Sequence, residues 1–345
     1  MKLLIVTQIV DQTDPILGFF HRWIEEFAKH CESIEVICLQ EGKRSLPDHV
    51  HIHSLGKEKG AQPSWKYAAS FLSKAYALRT RYDVVFVHMN VEYLVLAGVL
   101  WKMLGKKTSL WYTHGTVSLR LRVAAILSNV LFTASPLSLR LSTNKKKIMG
   151  HGMDTEAFPL LLPPQGTVSC ITVGRVSAVK RIHLLIEAIA LLKKQNISTR
   201  LTIVGGAVTE QDHAYSKQLK EMVNKEGLEE QVQFLGPKNK TEIIEEFKKS
   251  HIFLHASSTG SLDKAPLEAL LCGVPVVTTN PEVGGIMDSA YYAEARTEAF
   301  AAILKEGIKE RVWEDEEKRA TARNYVLYHH GLQQLVSRIV AILNV

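Results

Sequence analysis

The chain has 345 residues, 46% of them hydrophobic and 22% charged, a length too great for one ordinary core and suited to two domains of roughly 150 residues each. That balance excludes a disordered or fibrous class. The net charge of +7 is uneven: residues 1–150 carry 20 Lys and Arg against 11 Asp and Glu, and residues 151–345 carry 22 against 24, so the N-terminal half suits an anionic partner such as a lipid phosphate, a membrane surface or a nucleic acid, with a merely solvated basic surface as the alternative.

From Lys2 onward, short apolar runs alternate with longer amphipathic ones, the pattern of β-α-β units and a parallel sheet. The run Met1-Lys-Leu-Leu-Ile-Val-Thr7 is too short for a signal peptide, is soon followed by Asp11 and Asp14, and reads as the first strand. Further strands are predicted over 34–39, 84–88, 108–112 and 130–133, with His51 and His53 alternating on another. Helices are predicted over 17–30, 65–80, 93–104 and 136–141, where apolar residues recur at three- and four-residue spacing. The apolar stretch at 93–104 falls short of the roughly 20 residues that cross a bilayer and contains Lys102, so no spanning segment is expected. After the first strand comes a lone Gly18 and no Gly-x-Gly-x-x-Gly turn, which leaves no backbone cradle for a dinucleotide. Gly18 by itself is compatible with turn chemistry at a helix entry.

His114 follows the strand 108–112 and precedes Gly115, at the rim where a sheet presents residues to a cleft; a neutral imidazole there can donate or accept. The other histidines considered, His251, His255, His329 and His330 among them, have no carboxylates or cysteines at metal-ligand spacing. No Asp-x-Asp pair is present to clamp a diphosphate through Mg²⁺. Cys31, Cys38, Cys170 and Cys272 form no Cys-x-x-Cys pair and read as reduced core thiols of a cytosolic protein. Lys145-Lys-Lys147 reads as a solvated edge. The stretch 153–166, punctuated by Pro159, Pro163 and Pro164, is the expected connector between domains at 1–152 and 167–325.

The second half repeats the rhythm, with strands over 170–173, 200–204, 232–235 and 252–255 and helices over 182–194, 214–226 and 240–249. Two junctions carry chemistry: Val173-Gly-Arg-Val-Ser-Ala-Val-Lys-Arg181 and Leu262-Asp-Lys-Ala-Pro-Leu-Glu-Ala-Leu270. Each lies where a strand gives way to a helix, so backbone N–H groups and the helix dipole favour an anion. Arg175 and Lys180 can grip a diphosphate from two sides without a metal. Glu268 can only accept, which suits the paired hydroxyls of a ribose. Together they describe a pocket for a nucleotide diphosphate. Beyond it, 280–285 reads as turn chemistry, 314–317 as the exposed start of a helix, and 332–343 as an amphipathic helix.

These motifs, with Leu201-Thr-Ile-Val-Gly205, Val232-Gln-Phe-Leu-Gly236, Phe253-Leu-His-Ala-Ser-Ser258 and Pro266-Leu-Glu-Ala-Leu-Leu-Cys-Gly-Val-Pro-Val-Val277, stand in family order over about a hundred residues. The chain resembles retaining glycosyltransferases of the GT-B architecture, family 4. In the first half the likeness rests on Gly18, Trp111-Tyr-Thr-His-Gly115 and Gly150-His-Gly-Met-Asp-Thr-Glu-Ala-Phe158. The resemblance implies an α/β fold of two Rossmann-like β/α/β domains facing across a cleft, with the segment 326–345 crossing back onto the first domain. It implies a metal-independent enzyme of polysaccharide biosynthesis that moves a sugar from a nucleotide-diphosphate donor, with retention, to a hydroxyl acceptor such as a lipid-linked or cell-surface glycan. No cofactor and no nucleic acid are expected, the expected setting is cytoplasmic, and the basic first half, with Arg120, Arg122 and the lysine run, adds peripheral contact with the inner face of an anionic membrane as an alternative to a merely solvated surface.

Residue by residue, the resemblance gives His114 contact with donor sugar or acceptor near the reacting carbon, and gives Arg175 and Lys180 the diphosphate. Gly18 lets backbone approach the donor diphosphate, and Gly236 opens the segment that holds the base. Asp263, Lys264, Ala265 and Glu268 complete the donor site. The family places two glutamates eight positions apart, yet counting back from Glu268 lands on Gly260. Asp263 is the nearest acid, either accepting from a sugar hydroxyl or capping the following helix. Two other classes share the fold: a non-catalytic sugar-nucleotide binder, and a sugar-nucleotide epimerase, whose extra acids and histidines are not found at matching positions.

Overall fold

A computed structural model describes residues 1–14, 16–258, 262–287 and 291–344. The chain divides into two compact units, Met1–Asp154 with His329–Val345, and Thr155–Tyr328.

The first unit is built on a seven-stranded parallel sheet of β1 (Lys2–Val10), β2 (Ser33–Glu41), β3 (Val50–Ser54), β4 (Val84–His88), β5 (Lys107–Trp111), β6 (Val130–Thr133) and β7 (Lys146–Ile148), in the order β3-β2-β1-β4-β5-β6-β7. Leu3 to Val6 of β1 are fully buried, as expected of a strand covered on both faces, which is why it reads as a continuous apolar run. On one face, Phe20, Trp23, Ile24 and Phe27 of α1 (Phe19–Ala28) pack with the closing helix α12 (Leu332–Asn344). Residues 332, 335, 336, 339, 340 and 343 of α12 are buried, a three- and four-residue spacing that puts them on one stripe. The other face carries α2 (Ser64–Ala77), α3 (Val91–Met103) and α4 (Leu119–Leu127).

The second unit has a five-stranded parallel sheet of β8 (Val168–Val173), β9 (Thr199–Val204), β10 (Val232–Gly236), β11 (Ile252–His255) and β12 (Val276–Thr278), ordered β10-β9-β8-β11-β12. Its helices are α5 (Ile182–Lys194), α6 (Glu210–Lys225), α7 (Lys240–Lys248), α8 (Lys264–Leu271), α9 (Pro281–Met287), α10 (Thr297–Lys309) and α11 (Glu316–His330), the last running into the first unit. Strand order reverses between β8 and β11, and in an open α/β sheet a ligand crevice lies outside the carboxyl ends of strands at such a reversal.

Four sequence expectations need correction. Residues 136–141 form no helix: 136–138 are a turn, with Pro136 following Ser135, whose hydroxyl and carbonyl accept from the Ser138 N–H, and 139–141 are irregular. The helices α4 and α10 were not foreseen. Lys145-Lys-Lys147 is an edge in a stricter sense than expected, since Lys146 and Lys147 belong to β7. The stretch 280–285 is mostly helical, inside α9. All four cysteines are free and buried, and burial pushes the Cys170 thiol up to about 12.

Candidate functional site

The two junctions singled out in the sequence follow β8 and β11, the neighbouring strands at the reversal. After β8 the chain passes Gly174 and Arg175, makes a short 3₁₀ turn at Ala178–Lys180 and enters α5. After β11 it reaches Asp263, which stands at the start of α8. The Ser258 N–H donates to the Val179 carbonyl at 2.8 Å and its hydroxyl to the same atom at 3.1 Å, so the two loops are joined. Gly174, Arg175, Lys180, His255, Asp263 and Ala265 line one small pocket. A larger hollow of about 650 Å³ lies at the opposite, amino ends of these strands, between Thr167, Arg200, Gln231 and His251. It takes in neither junction loop, whereas Arg175, Lys180 and Asp263 line the smaller pocket. The chemistry therefore belongs to the smaller pocket.

Its centre is Asp263. Lys180 Nζ donates to Oδ2 at 2.7 Å, and His255 Nε2 lies 2.8 Å from the same oxygen. A carboxylate can only accept, so Nε2 carries a proton; in the neutral imidazole Nδ1 then accepts from the Thr278 hydroxyl, 2.9 Å away. The Asn280 N–H donates to that hydroxyl oxygen at 2.9 Å. Burial would raise the Asp263 carboxyl, but the hydrogen bond from His255 and the Lys180 ammonium outweigh it and hold it well below the ordinary carboxylate range. The capping alternative fails: Asp263 occupies the cap position with φ −80° and ψ 150°, yet its side chain makes no bond to the helix. Both bonds end on Oδ2, and Oδ1 makes no bond among the described residues.

Arg175 is half exposed, with Nε 3.8 Å from Asp212 Oδ2. Both expected diphosphate cations are thus near a carboxylate, Lys180 tightly and Arg175 loosely. Farther along α8, burial pushes the Glu268 carboxyl up against the opposing pull of Lys264, one turn earlier, and of Lys240. Burial also pushes the Lys264 ammonium down, with Glu268 opposing. Gly236 ends β10, and its carbonyl accepts from the Gly205 N–H at 2.8 Å. Gly260 lies outside the described residues.

In the first unit, His114 is exposed on the loop after β5, its ring 5.7 Å from that of Tyr112. Gly18 immediately precedes α1; a Cβ there would sit 2.5 Å from the Asp14 carbonyl oxygen and 3.1 Å from that of Gln12, so its own loop already demands glycine. Sequence reasoning missed His255 and Thr278. The signal available was a histidine and a threonine ending two strands that the alternating pattern makes neighbours.

Residues 153–325, half of the chain, match the family described as Glycosyl transferases group 1. The D-inositol 3-phosphate glycosyltransferase of Arthrobacter sp. (strain FB24) is 29% identical over 154 residues, 44% of this chain and 34% of that protein. The phosphatidylinositol N-acetylglucosaminyltransferase gpi3 subunit of Schizosaccharomyces pombe is 29% identical over 119 residues, 34% of this chain and 24% of that protein. The matched stretch thus spans about a quarter to a third of the length of these curated relatives. Among solved structures, Anabaena HepE in complex with UDP superposes with a TM-score of 0.76 at 18% identity, covering 100% of both chains. WaaG, a glycosyltransferase involved in lipopolysaccharide biosynthesis, gives 0.67 at 13%, covering 99% of each. Two parallel sheets flanked by helices and matched over their whole length to such structures are the GT-B fold. With the group 1 match falling on the unit that holds both junctions, the chain belongs to the group 1 family of glycosyl transferases.

Proposed function

We propose that this glycosyltransferase moves a sugar, with retention of anomeric configuration and without a metal ion, from a nucleotide-diphosphate donor to a hydroxyl acceptor on a lipid-linked or cell-surface glycan. The observation that carries the reading is the Lys180–Asp263–His255 cluster beside Arg175 at the carboxyl ends of β8 and β11. The barrier lies in breaking the bond between the anomeric carbon and the diphosphate oxygen while positive charge grows on the sugar. Cations aimed at the leaving oxygens stabilise that separation most where water is excluded. A diphosphate carries more negative charge than Asp263 and draws Lys180 toward itself. Asp263, still held by His255, then turns to a sugar hydroxyl, a role for which its unbonded Oδ1 is suited. The acceptor proton passes to the departing phosphate, so no separate base is assigned.

Glu268 takes the ribose hydroxyls, Gly236 and the loop after it the base, and the N–H groups of Lys264 and Ala265 the phosphates at the start of α8. His114 touches sugar or acceptor, and Gly18 admits the donor diphosphate. The HepE complexes with UDP and with UDP-glucose support UDP-sugars as the first donors to try. That two relatives are a D-inositol 3-phosphate glycosyltransferase and a phosphatidylinositol N-acetylglucosaminyltransferase subunit supports a phosphorylated or lipid-borne acceptor.

One observation favours a non-catalytic binder instead: glycine at 260, where the family has its first glutamate. Incubating the full chain with UDP-glucose and other sugar nucleotides separates the two. A transferase releases sugar slowly to water, with the donor's anomeric configuration kept in the first product. Tight binding of every donor with no release over a day would leave the binder.

A further inference from the structure

A helix on the outside of a parallel sheet normally turns polar side chains to water. The helices α3 and α4 do the reverse. The outward stripe of α3 is Val95, Leu96, Val99 and Met103, with Val99 57% and Met103 81% exposed. Beside it α4 presents Leu119, Val123 and Ile126, of which Leu119 is 77% and Ile126 72% exposed. The two helices meet closely because α3 has glycine at the contact: a Cβ on Gly98 would lie 2.8 Å from the Leu127 Cβ. Two narrow stripes therefore merge into one apolar surface, of the contiguous kind that marks an interaction site.

Its borders are basic. Lys102 and Arg122 are exposed among the apolar residues. Arg120 bridges the two helices at their N-terminal ends, Nη1 lying 3.2 Å from Glu92 Oε1. At the C-terminal ends a hollow of about 440 Å³ is lined by Lys102, Lys106, Lys107 and Lys145. Three of these lysines are held in place by carbonyls: Lys145 donates to Ala125, Ile126 and Ser128, Lys106 to Tyr82, and Lys107 to Ile342. Among the described residues, Glu92 and Asp83 pair with Arg120 and Lys106 of this rim. No described helix is long and apolar enough to cross a membrane, but a helix lying in the interface needs only one apolar face and a cationic border.

We propose that this face of α3 and α4 docks the protein on an anionic phospholipid bilayer, the apolar stripe entering the headgroup boundary and the lysine hollow receiving lipid phosphates. Charge decides between occupants. A second copy of the same face would set its lysine rim against an identical one, whereas an anionic bilayer complements both the apolar centre and the basic border. The proposal deepens the reading of a lipid-linked acceptor and rests on it only for its purpose; vesicle binding is measured without donor, so either can fail alone.

The test is co-sedimentation of the full chain with vesicles of phosphatidylcholine and of phosphatidylcholine mixed with phosphatidylglycerol, at low and raised salt. Binding is expected on the anionic vesicles alone and to fall with salt. Val99→Asp with Met103→Asp should lower it more than tenfold, and Lys102→Glu or Arg122→Glu about fivefold or more each, with melting temperature and UDP binding unchanged. These side chains are exposed, so the variants fold; should the apolar pair not, the two charge variants carry the test. The idea is overturned if the wild type leaves anionic vesicles unbound at low salt, if the variants bind as it does, or if the apolar pair dissociates a homodimer without affecting vesicle binding.

Discussion

Replacing Asp263 by Asn tests the centre of the site, because stability and ligand affinity should move in opposite directions. The carboxylate oxygen holds Lys180 at 2.7 Å and His255 at 2.8 Å. Hydrogen bonds to charged groups contribute about 1.5–3 kcal/mol each. The amide keeps one acceptor, and the Lys180 and Asp263 side chains remain 25% and 19% exposed, so screening brings the net loss to about 1–3 kcal/mol. That is a melting shift of several degrees for a unit of this size, at about 2–4 °C per kcal/mol. The folded carboxyl is held below its ordinary value, so its contribution is complete above about pH 5, where the unfolded carboxyl is ionised, and is lost as pH falls toward the folded value. The deficit of Asp263→Asn should accordingly be full at neutral pH and shrink in acid.

Affinity should respond the other way. In the unliganded site a diphosphate must take Lys180 from Asp263 and sit near a negative charge. At about 6 Å and an effective dielectric between about 20 and 80 that repulsion is roughly 0.7–2.8 kcal/mol per unit of diphosphate charge, so its removal should tighten UDP binding at least about threefold. The extra affinity gained from an attached sugar should shrink, since the amide is a poorer acceptor for sugar hydroxyls. Calorimetry with UDP and UDP-glucose, beside thermal unfolding, reads all three quantities. Weaker UDP binding in a variant that melts normally would refute the reasoning, because Asp263 would then be a ligand contact and not a competitor for Lys180.

Arg175→Ala should lower UDP affinity ten- to hundredfold, the loss of a charge-assisted contact of about 1.5–3 kcal/mol, with little change in melting, since the guanidinium is half exposed and only loosely paired at 3.8 Å; unchanged affinity by calorimetry would remove it from the site. His330, buried in the first unit beside His151 and facing the like charges of His329 and Arg338, has its imidazole pushed down to about 4, chiefly by burial. The unfolded chain takes up that proton near pH 6.5 and the folded chain only near 4, so stability should fall as pH drops through this window by up to about 1.4 kcal/mol per pH unit. His330→Asn keeps an acceptor for the His151 N–H and should flatten that part of the urea-unfolding profile; an unaltered slope would mean that another group titrates.

Most strands of both sheets were legible because a strand buried on two faces is a short apolar run, while β7, with its two lysines, and the three-residue β12 were not foreseen; both junctions were legible because glycine, fixed cations and a helix start leave local marks. What was not legible is pairing. Lys180 and Asp263 are 83 positions apart, and only the adjacency of β8 and β11 brings them within hydrogen-bond distance. His255 was set aside as a strand histidine for the same reason. The helix α4 escaped because Leu119-Arg-Leu-Arg-Val123 alternates with a period of two, and because apolar residues on its outer face match those inside, so no three- to four-residue contrast survives. The feature that hid the helix is the one that marks it as a surface for a partner.

The acid at the centre of a diphosphate site calls for an explanation beyond its proposed contact with sugar. An unpaired Lys180 on a short loop would sample many rotamers, and ordering it on ligand binding would cost about 1.5–2 kcal/mol of side-chain entropy. Asp263 removes that freedom in advance, and His255, itself tied to Thr278 and through it to Asn280, keeps the carboxylate from following the ammonium away. The same arrangement discriminates by charge: a ligand must outcompete a carboxylate for Lys180, which a diphosphate with two phosphoryl groups does better than a monophosphate or a neutral sugar. On this argument the ion pair lowers absolute affinity while sharpening selection for the leaving group whose departure Lys180 must stabilise. A cation already in place serves the reaction better than one attracted only after the donor has arrived.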